Sequence, residues 1–171
     1  MCREKDINKL FDSMTDYFQG DKKRIFHFTK VFTLAGMIGG LEQLDENELF
    51  ILRTAALVHD IGIKPSEKKY GSCTGKQQEL EGPPVAEKML INLDFPSEVI
   101  SRVSYLVAHH HTYNNIDGLD YQILVEADLI VNMEEDGLSS EAIKSCIDKV
   151  FKTESGTRLC KNIFLAHSCA F

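Results

Sequence analysis

The sequence predicts an all-α, bundle-like domain, and three observations carry that expectation. Apolar residues recur at helical spacing along nearly all of the 171-residue chain. Cap-type residues open most of the periodic segments. No repeat, linker or low-complexity stretch interrupts them, so residues 1–171 are expected to form a single domain around one core. Apolar side chains make up 43% of the chain, which supplies a packed interior and argues against disorder.

The elements follow in order. INKLFDSMTDYF places Ile7, Leu10, Phe11, Met14 and Phe18 on one stripe. DKKRIFHFTKVFTLAGMI is a second helix with Asp21 as N-cap, expected to stop at Gly39 and Gly40. DENELFILRTAALVHD opens on a cap at Asp45 and runs into the stretch ALVHDIGIK, after which Gly62 and Pro65 break the pattern. Residues 65–82 are polar with Gly and Ser punctuation and read as a loop beside a site. PPVAEKMLINL carries prolines where a first helical turn tolerates them. PSEVISRVSYLVAHHH is a helix with Ser97 as cap, and NNIDG is a turn. DYQILVEADLIVNM could pass for a strand, but its length and its internal Glu126 and Asp128 favour a buried helix. SSEAIKSCIDKVF and TRLCKNIFLAHSCAF close the chain.

Composition excludes several function classes. A net charge of -7 argues against a nucleic-acid polymer or an anionic membrane surface as partner. A small phosphorylated substrate stays compatible, because a metal can supply local positive charge. No apolar run reaches the roughly 20 residues of a membrane span, and the charged N-terminus MCREKDINKL has no signal-peptide core. The five cysteines are scattered, with no C-x-x-C pair, and read as reduced thiols of a cytoplasmic protein.

Four helices each bring imidazole or carboxylate to a stretch where apolar residues dominate. His27 sits among Phe26, Phe28 and Phe32; His59 and Asp60 end a strong helix; His109, His110 and His111 end another; Asp128 lies inside VEADLIV. A buried ionised aspartate needs compensation, and a divalent cation is an economical partner. Imidazole with carboxylate suits Mn, Fe, Zn, Co or Ni. Taken singly, each residue has a plain alternative: His27 a core histidine, Asp128 a partner of Arg53 or Arg102, the histidine run a polar helix end favoured by the dipole. Consecutive helical residues point about 100° apart, so His59 and Asp60 reach one point only from a fraying helix end, which Gly62 permits.

The order His, His-Asp, His-His, Asp on successive helices resembles the HD-domain superfamily of metal-dependent phosphohydrolases. RIFHFTKV, ALVHDIGIK, YLVAHHHTY and LVEADLIVN carry the resemblance across roughly residues 20–135, leaving flanking helices at 1–20 and 136–171. The resemblance implies a compact helical bundle with a central metal site. It implies that His27, His59, Asp60 and Asp128 bind a first metal, that Asp60 bridges to a second where one is present, and that His109 and His110 are second-site ligands. Many family members carry a histidine shortly before a glycine in the middle segment. Here Glu81 stands before Gly82 and either touches the metal or its water, or is a solvated carboxylate.

The implied chemistry is hydrolysis of a small phosphoester or nucleotide by metal-activated water, with one or two ions. Asp60 holds the metal and orients the water. Lys64 either meets a phosphate oxygen or is a solvated lysine. Arg24, three residues before His27, clamps a phosphate or orients a carboxylate. Tyr113 and Asn114 are candidates for the pocket mouth, where Asn115 and Gly118 belong to the turn. His111 ranks below its two neighbours, His167 near the C-terminus is not expected to be a ligand, and Glu126 is expected to pair elsewhere. Two rivals stand beside this reading: an HD-type mixed-valence di-iron oxygenase, and a non-catalytic metal- or nucleotide-binding regulatory module. The flanking helices cap the core or supply the face of a homodimer.

Overall fold

The computed structural model describes residues 3–165. His167, Cys2 and Cys169 lie outside these residues. Nine helices and no strand occur among the described residues: α1 (Arg3–Tyr17), α2 (Lys22–Leu41), α3 (Glu46–Ala56), α4 (Ile63–Tyr70), α5 (Gly75–Asn92), α6 (Ser97–Val107), α7 (Leu119–Glu135), α8 (Ser140–Val150) and α9 (Glu154–Phe164). The protein is therefore all-α. No described helix is long and apolar enough to cross a membrane.

Helices α2 and α7 pack along each other, with α3 against both and the α5–α6 pair on the far side of α3. The apolar stripe of α1 (Ile7, Leu10, Met14) is buried with Phe18, and α7 is buried over nearly its whole length. Asp21 caps α2 by accepting from the Arg24 amide. Asp45 and Glu48 form a reciprocal capping box at α3.

Several boundaries differ from the sequence expectation. Helix α2 does not stop at Gly39; it continues to Leu41 because Gly39 is the surface on which α3 rests, with Leu49 and Leu52 too close for any side chain there to fit without a shift. The expected loop at 65–82 is mostly helical. Pro65 falls in the first turn of α4, where its missing N–H is tolerated, and Gly71 ends that helix in the left-handed conformation. A capping box between Thr74 and Gln77 then starts α5, eight residues before the prolines expected to open it. Pro83 and Pro84 thus lie in a helix interior. Ser97 is the first residue of α6 and not its cap, which is Pro96.

Helix α5 crosses the turn after α3 at a point where two glycines meet. A Cβ on Gly62 would lie 2.6 Å from the Gln78 carbonyl oxygen and 2.8 Å from the Gly82 nitrogen. This close approach seats the first half of α5 against the turn that follows His59 and Asp60.

Candidate metal centre

Helix α3 ends at Ala56, and the chain tightens into successive i→i−3 turns: Val58 N to Ala55 O, Ile61 N to Val58 O and Ile63 N to Asp60 O, each 3.0–3.1 Å. These turns carry His59 and Asp60 inward together, which a regular helix would not do. The C-terminus of α6 tightens in the same way after Val107 and carries His110 and His111.

The cluster forms where these two helix ends meet α2 and α7. His27 Nε2 lies 3.2 Å from His59 Nε2 and 3.1 Å from Asp128 Oδ1, and His59 Nε2 lies 3.4 Å from the same oxygen. Asp60 sits between two trios. Its Oδ2 is 3.8 and 3.9 Å from the Nε2 atoms of His27 and His59. Its Oδ1 is 3.0 Å from His110 Nε2 and 3.7 Å from His111 Nε2. In each trio, His27–His59–Asp60 and Asp60–His110–His111, the donor atoms lie within 4.8 Å of one another.

The remaining ring nitrogens explain the orientation. His59 Nδ1 donates to the Ala56 carbonyl at 3.0 Å and His110 Nδ1 to the Val107 carbonyl at 2.9 Å, so Nε2 is the free atom of both rings. Burial holds the His110 imidazole neutral by pushing its pKa down. Its Nε2 then presents a lone pair to a carboxylate oxygen. Asp128 Oδ1 is fully buried and satisfied by no aligned hydrogen bond. Converging lone pairs and an orphaned carboxylate oxygen are an arrangement that a cation resolves, and the imidazole–carboxylate donor set fits a divalent transition metal. Burial alone would raise the carboxyl pKa of Asp60 and Asp128, but the surrounding histidines hold both well below the usual range. Burial alone would lower the His27 pKa, but Asp128, with Asp60 and Glu135, outweighs it and raises it to about 9.

Of the residues singled out in the sequence, the structure brings together His27, His59, Asp60, His110 and Asp128. It places four others elsewhere. His109 turns away: its Nδ1 bonds the Tyr105 carbonyl at 2.7 Å and its ring stacks on Tyr105, so His111 and not His109 stands beside His110 in the cluster. Lys64 reaches back to the Tyr17 carbonyl at the end of α1 and lies over the Tyr17 and Phe18 rings. Glu81 pairs with Lys69 at 2.6 Å and accepts from Tyr70 OH at 2.7 Å, outside the cluster. Asn114 is exposed on the turn before Asn115, whose φ of 58° is left-handed. Neither Arg53 nor Arg102 faces Asp128; they pair with Glu4 and with Asp117 and Asp120. Glu126 is buried and accepts from the Lys152 and Thr153 amides.

Two participants were not singled out. Gln78, on the part of α5 expected to be loop, bonds His111 Nε2 through its Oε1. Glu135 Oε2 lies 3.3 Å from His27 Nδ1. Its spacing from Asp128, two helical turns on α7, was the readable signal for it.

A cavity of about 230 Å³ opens beside the cluster, with His27 and Asp60 on its wall and Lys23, Arg24, Asn132 and Glu135 around it. Arg24 is held there by Asp21 at 2.8 Å and Glu67 at 2.5 Å. A neighbouring cavity shares Asn132 and Asp136 and has Tyr113 on its wall.

Comparison with known proteins agrees with this arrangement. A search of curated proteins finds no match. A crystal structure described as a predicted HD superfamily hydrolase from an uncultured Thermotogales bacterium is similar in fold, with a TM-score of 0.65 and 24% identity over 91% of this chain and 83% of that one. The family model of the HD domain, a divalent-metal-binding domain, matches residues 24–145. That match spans all four helix regions that carry the His/Asp cluster, and the chain belongs to the HD-domain family.

Proposed function

We propose that the protein is a metal-dependent phosphohydrolase acting on a small phosphoester or nucleotide. The observation that carries this reading is Asp60, which offers one oxygen to each of two imidazole-bearing trios beside an open cavity with Lys23 and Arg24 on its rim. His27, His59, Asp60 and Asp128 would hold a first ion; Asp60, His110 and His111 would hold a second. A bound Mn, Fe, Co, Ni or Zn supplies Lewis acidity toward a phosphoryl oxygen and a water acidic enough to attack near neutral pH.

The chain's own residues do the rest. Asp60 fixes the spacing of the two trios and orients the nucleophile toward the cavity. Arg24, pre-set by Asp21 and Glu67, meets the substrate's phosphate at the rim. Tyr113 bounds the adjoining space and contacts the leaving group. Lys64 and Glu81 take no part, since neither lines the cavity that His27, Asp60 and Arg24 line. A cavity of this size suits a small ester rather than a polymer.

The test is metal analysis of the untagged protein, followed by a panel of phosphomonoesters, nucleotides and phosphodiesters with each divalent metal. One or two equivalents of metal and turnover that Asp60→Asn abolishes support the reading. Protein that fails to take up Mn or Fe on reconstitution sinks it. The shared Asp60 also suits a di-iron oxygenase, which substrate-dependent oxygen consumption without phosphate release would reveal. Metal retention with no turnover on either assay would favour a binding module.

A further inference from the structure

The outward face of α2 carries a pattern that the metal centre does not use. Its exposed positions run Phe26, Lys30, Thr33, Met37 and Gly40, spaced four, three, four and three. That is the seam spacing of helices that pack side by side. Phe26 is 62% exposed, Met37 59% and the adjoining Leu41 56%, and Ile163 of α9 beside them is 48% exposed. A nearly apolar groove of about 370 Å³ lies between Phe26 and Ile163. Isolated exposed apolar residues need no explanation, but a contiguous set on one helix face does.

We infer that this face is an isologous dimer interface in which α2 packs antiparallel against α2 of a second copy of the chain, with the two-fold axis at Thr33. Across that axis each long side chain meets a short one. Positions 26 and 40 are equidistant from 33, so Phe26 of each copy meets Gly40 of the other. A Cβ on Gly40 would meet nothing within 4 Å, which leaves that space for the incoming ring. Lys30 falls opposite Gly36 and Met37 opposite Thr29, with the Lys30 charge already paired to Glu134 at 2.7 Å and its stem free to pack. Leu41 of the second copy comes to the groove between Phe26 and Ile163. The small Thr33 side chains at the centre let the helices approach. The seam runs about 21 Å from residue 26 to residue 40.

Charge fixes the direction. Lys22 and Lys23 are exposed at the N-terminal end of α2, while Asp45 and Glu46 are exposed just past its C-terminal end. Antiparallel pairing sets the basic end of each copy against the acidic end of the other; parallel pairing would set like against like. A surface complementary to itself under a two-fold axis specifies a second copy.

Sedimentation velocity on the untagged 171-residue chain, from about 1 to 100 µM, tests this. The wild type is expected to dimerise. Thr33→Arg places two guanidinium groups together at the axis and should weaken the dimer by at least about 100-fold, with the helical circular dichroism and metal content unchanged. Lys22→Glu should weaken it less, and salt should erase the difference. A chain that stays monomeric throughout overturns the inference. So does a dimer that survives both Thr33→Arg and Met37→Glu, or one that is lost on deleting residues 166–171 alone.

Discussion

Asp128 and Glu135 grip opposite nitrogens of one imidazole. They lie two turns apart on α7, with Asp128 Oδ1 3.1 Å from His27 Nε2 and Glu135 Oε2 3.3 Å from His27 Nδ1. His59 and His110 sit at helix ends and spend Nδ1 on nearby backbone carbonyls. His27 is inside α2, where the carbonyls are taken by the helix, so a carboxylate does the same job. Lys30, 3.2 Å from Glu135, keeps that carboxylate in place. Glu135→Ala should lower metal affinity by about 10- to 100-fold. Glu135→Gln, which still accepts from Nδ1, should recover part of the loss. Calorimetric titration of the metal-free protein reads both directly, and equal affinity in all three proteins would exclude the role.

Gln78 and Glu81 separate by the same measurement. Gln78 touches His111, whereas Glu81 is bound to Lys69 and Tyr70. Gln78→Ala should leave the first ion in place and weaken the second by about 10-fold or more, because Gln78 Oε1 meets the same His111 nitrogen that faces Asp60 and is an oxygen donor the second ion would lose. Gln78→His should strengthen the second site by adding an imidazole beside the Asp60–His110–His111 trio. Glu81→Ala should change neither stoichiometry nor affinity. Metal counts by mass spectrometry at stepped concentrations distinguish these cases.

The contrast shows what could be read before the structure. His27, His59, Asp60 and Asp128 stood out because each is a polar group on an apolar helix segment, and burial without a partner is costly whatever the fold. Gln78 is an ordinary polar residue in a stretch dense with glycine and proline. Its place depends on α5 beginning at Gly75 and on Gly62 meeting Gly82, a long-range contact that local periodicity does not encode. The choice between His109 and His111 was illegible for a related reason. Adjacent residues in a tightening helix end differ only in direction, and the turn after Val107 sets that direction. The helices themselves were readable from spacing and caps, as Asp21 and Asp45 show. Where spacing failed, at α4 and the start of α5, Pro and Gly sat in positions a helix tolerates.

Protonation of His27 gives the metal-free protein a distinctive pH dependence. Its pKa rises from 6.5 to about 9 on folding. A raised pKa means the folded state holds the proton more tightly. The stabilisation is complete below the unfolded value of 6.5, declines as pH rises and is gone above about 9. Asp128 acts in the other direction: its lowered pKa stabilises the fold above the ordinary carboxylate value of 3.8 and fails in acid. Metal-free protein should therefore unfold at a lower temperature at pH 9 than at pH 6. Metal binding displaces the same proton, so affinity should climb toward about tenfold per pH unit until His27 is deprotonated. Thermal unfolding with and without metal at pH 6 and pH 9 should show opposite slopes, and His27→Gln should flatten the metal-free one.

Glu126 shows that a buried carboxylate two residues from Asp128 of the candidate metal centre can serve the fold alone. It faces away from Asp128 and gathers Gln122 Nε2 at 2.7 Å, the Lys152 amide at 2.7 Å, the Thr153 amide at 3.0 Å and the Thr153 hydroxyl. These bonds pin the turn between α8 and α9 onto α7. Glu126→Ala would leave several buried donors unsatisfied and should cost about 3 kcal/mol or more. Gly156→Ala tests the same joint from the other side, since its Cβ would fall 2.0 Å from Glu126 Oε2 and 2.6 Å from Thr153 Oγ1. Both variants should lower the unfolding midpoint in urea while the surviving folded protein keeps the wild-type metal stoichiometry. Loss of metal at concentrations of denaturant where the helices remain intact would instead mean that Glu126 supports the Asp128 side chain directly.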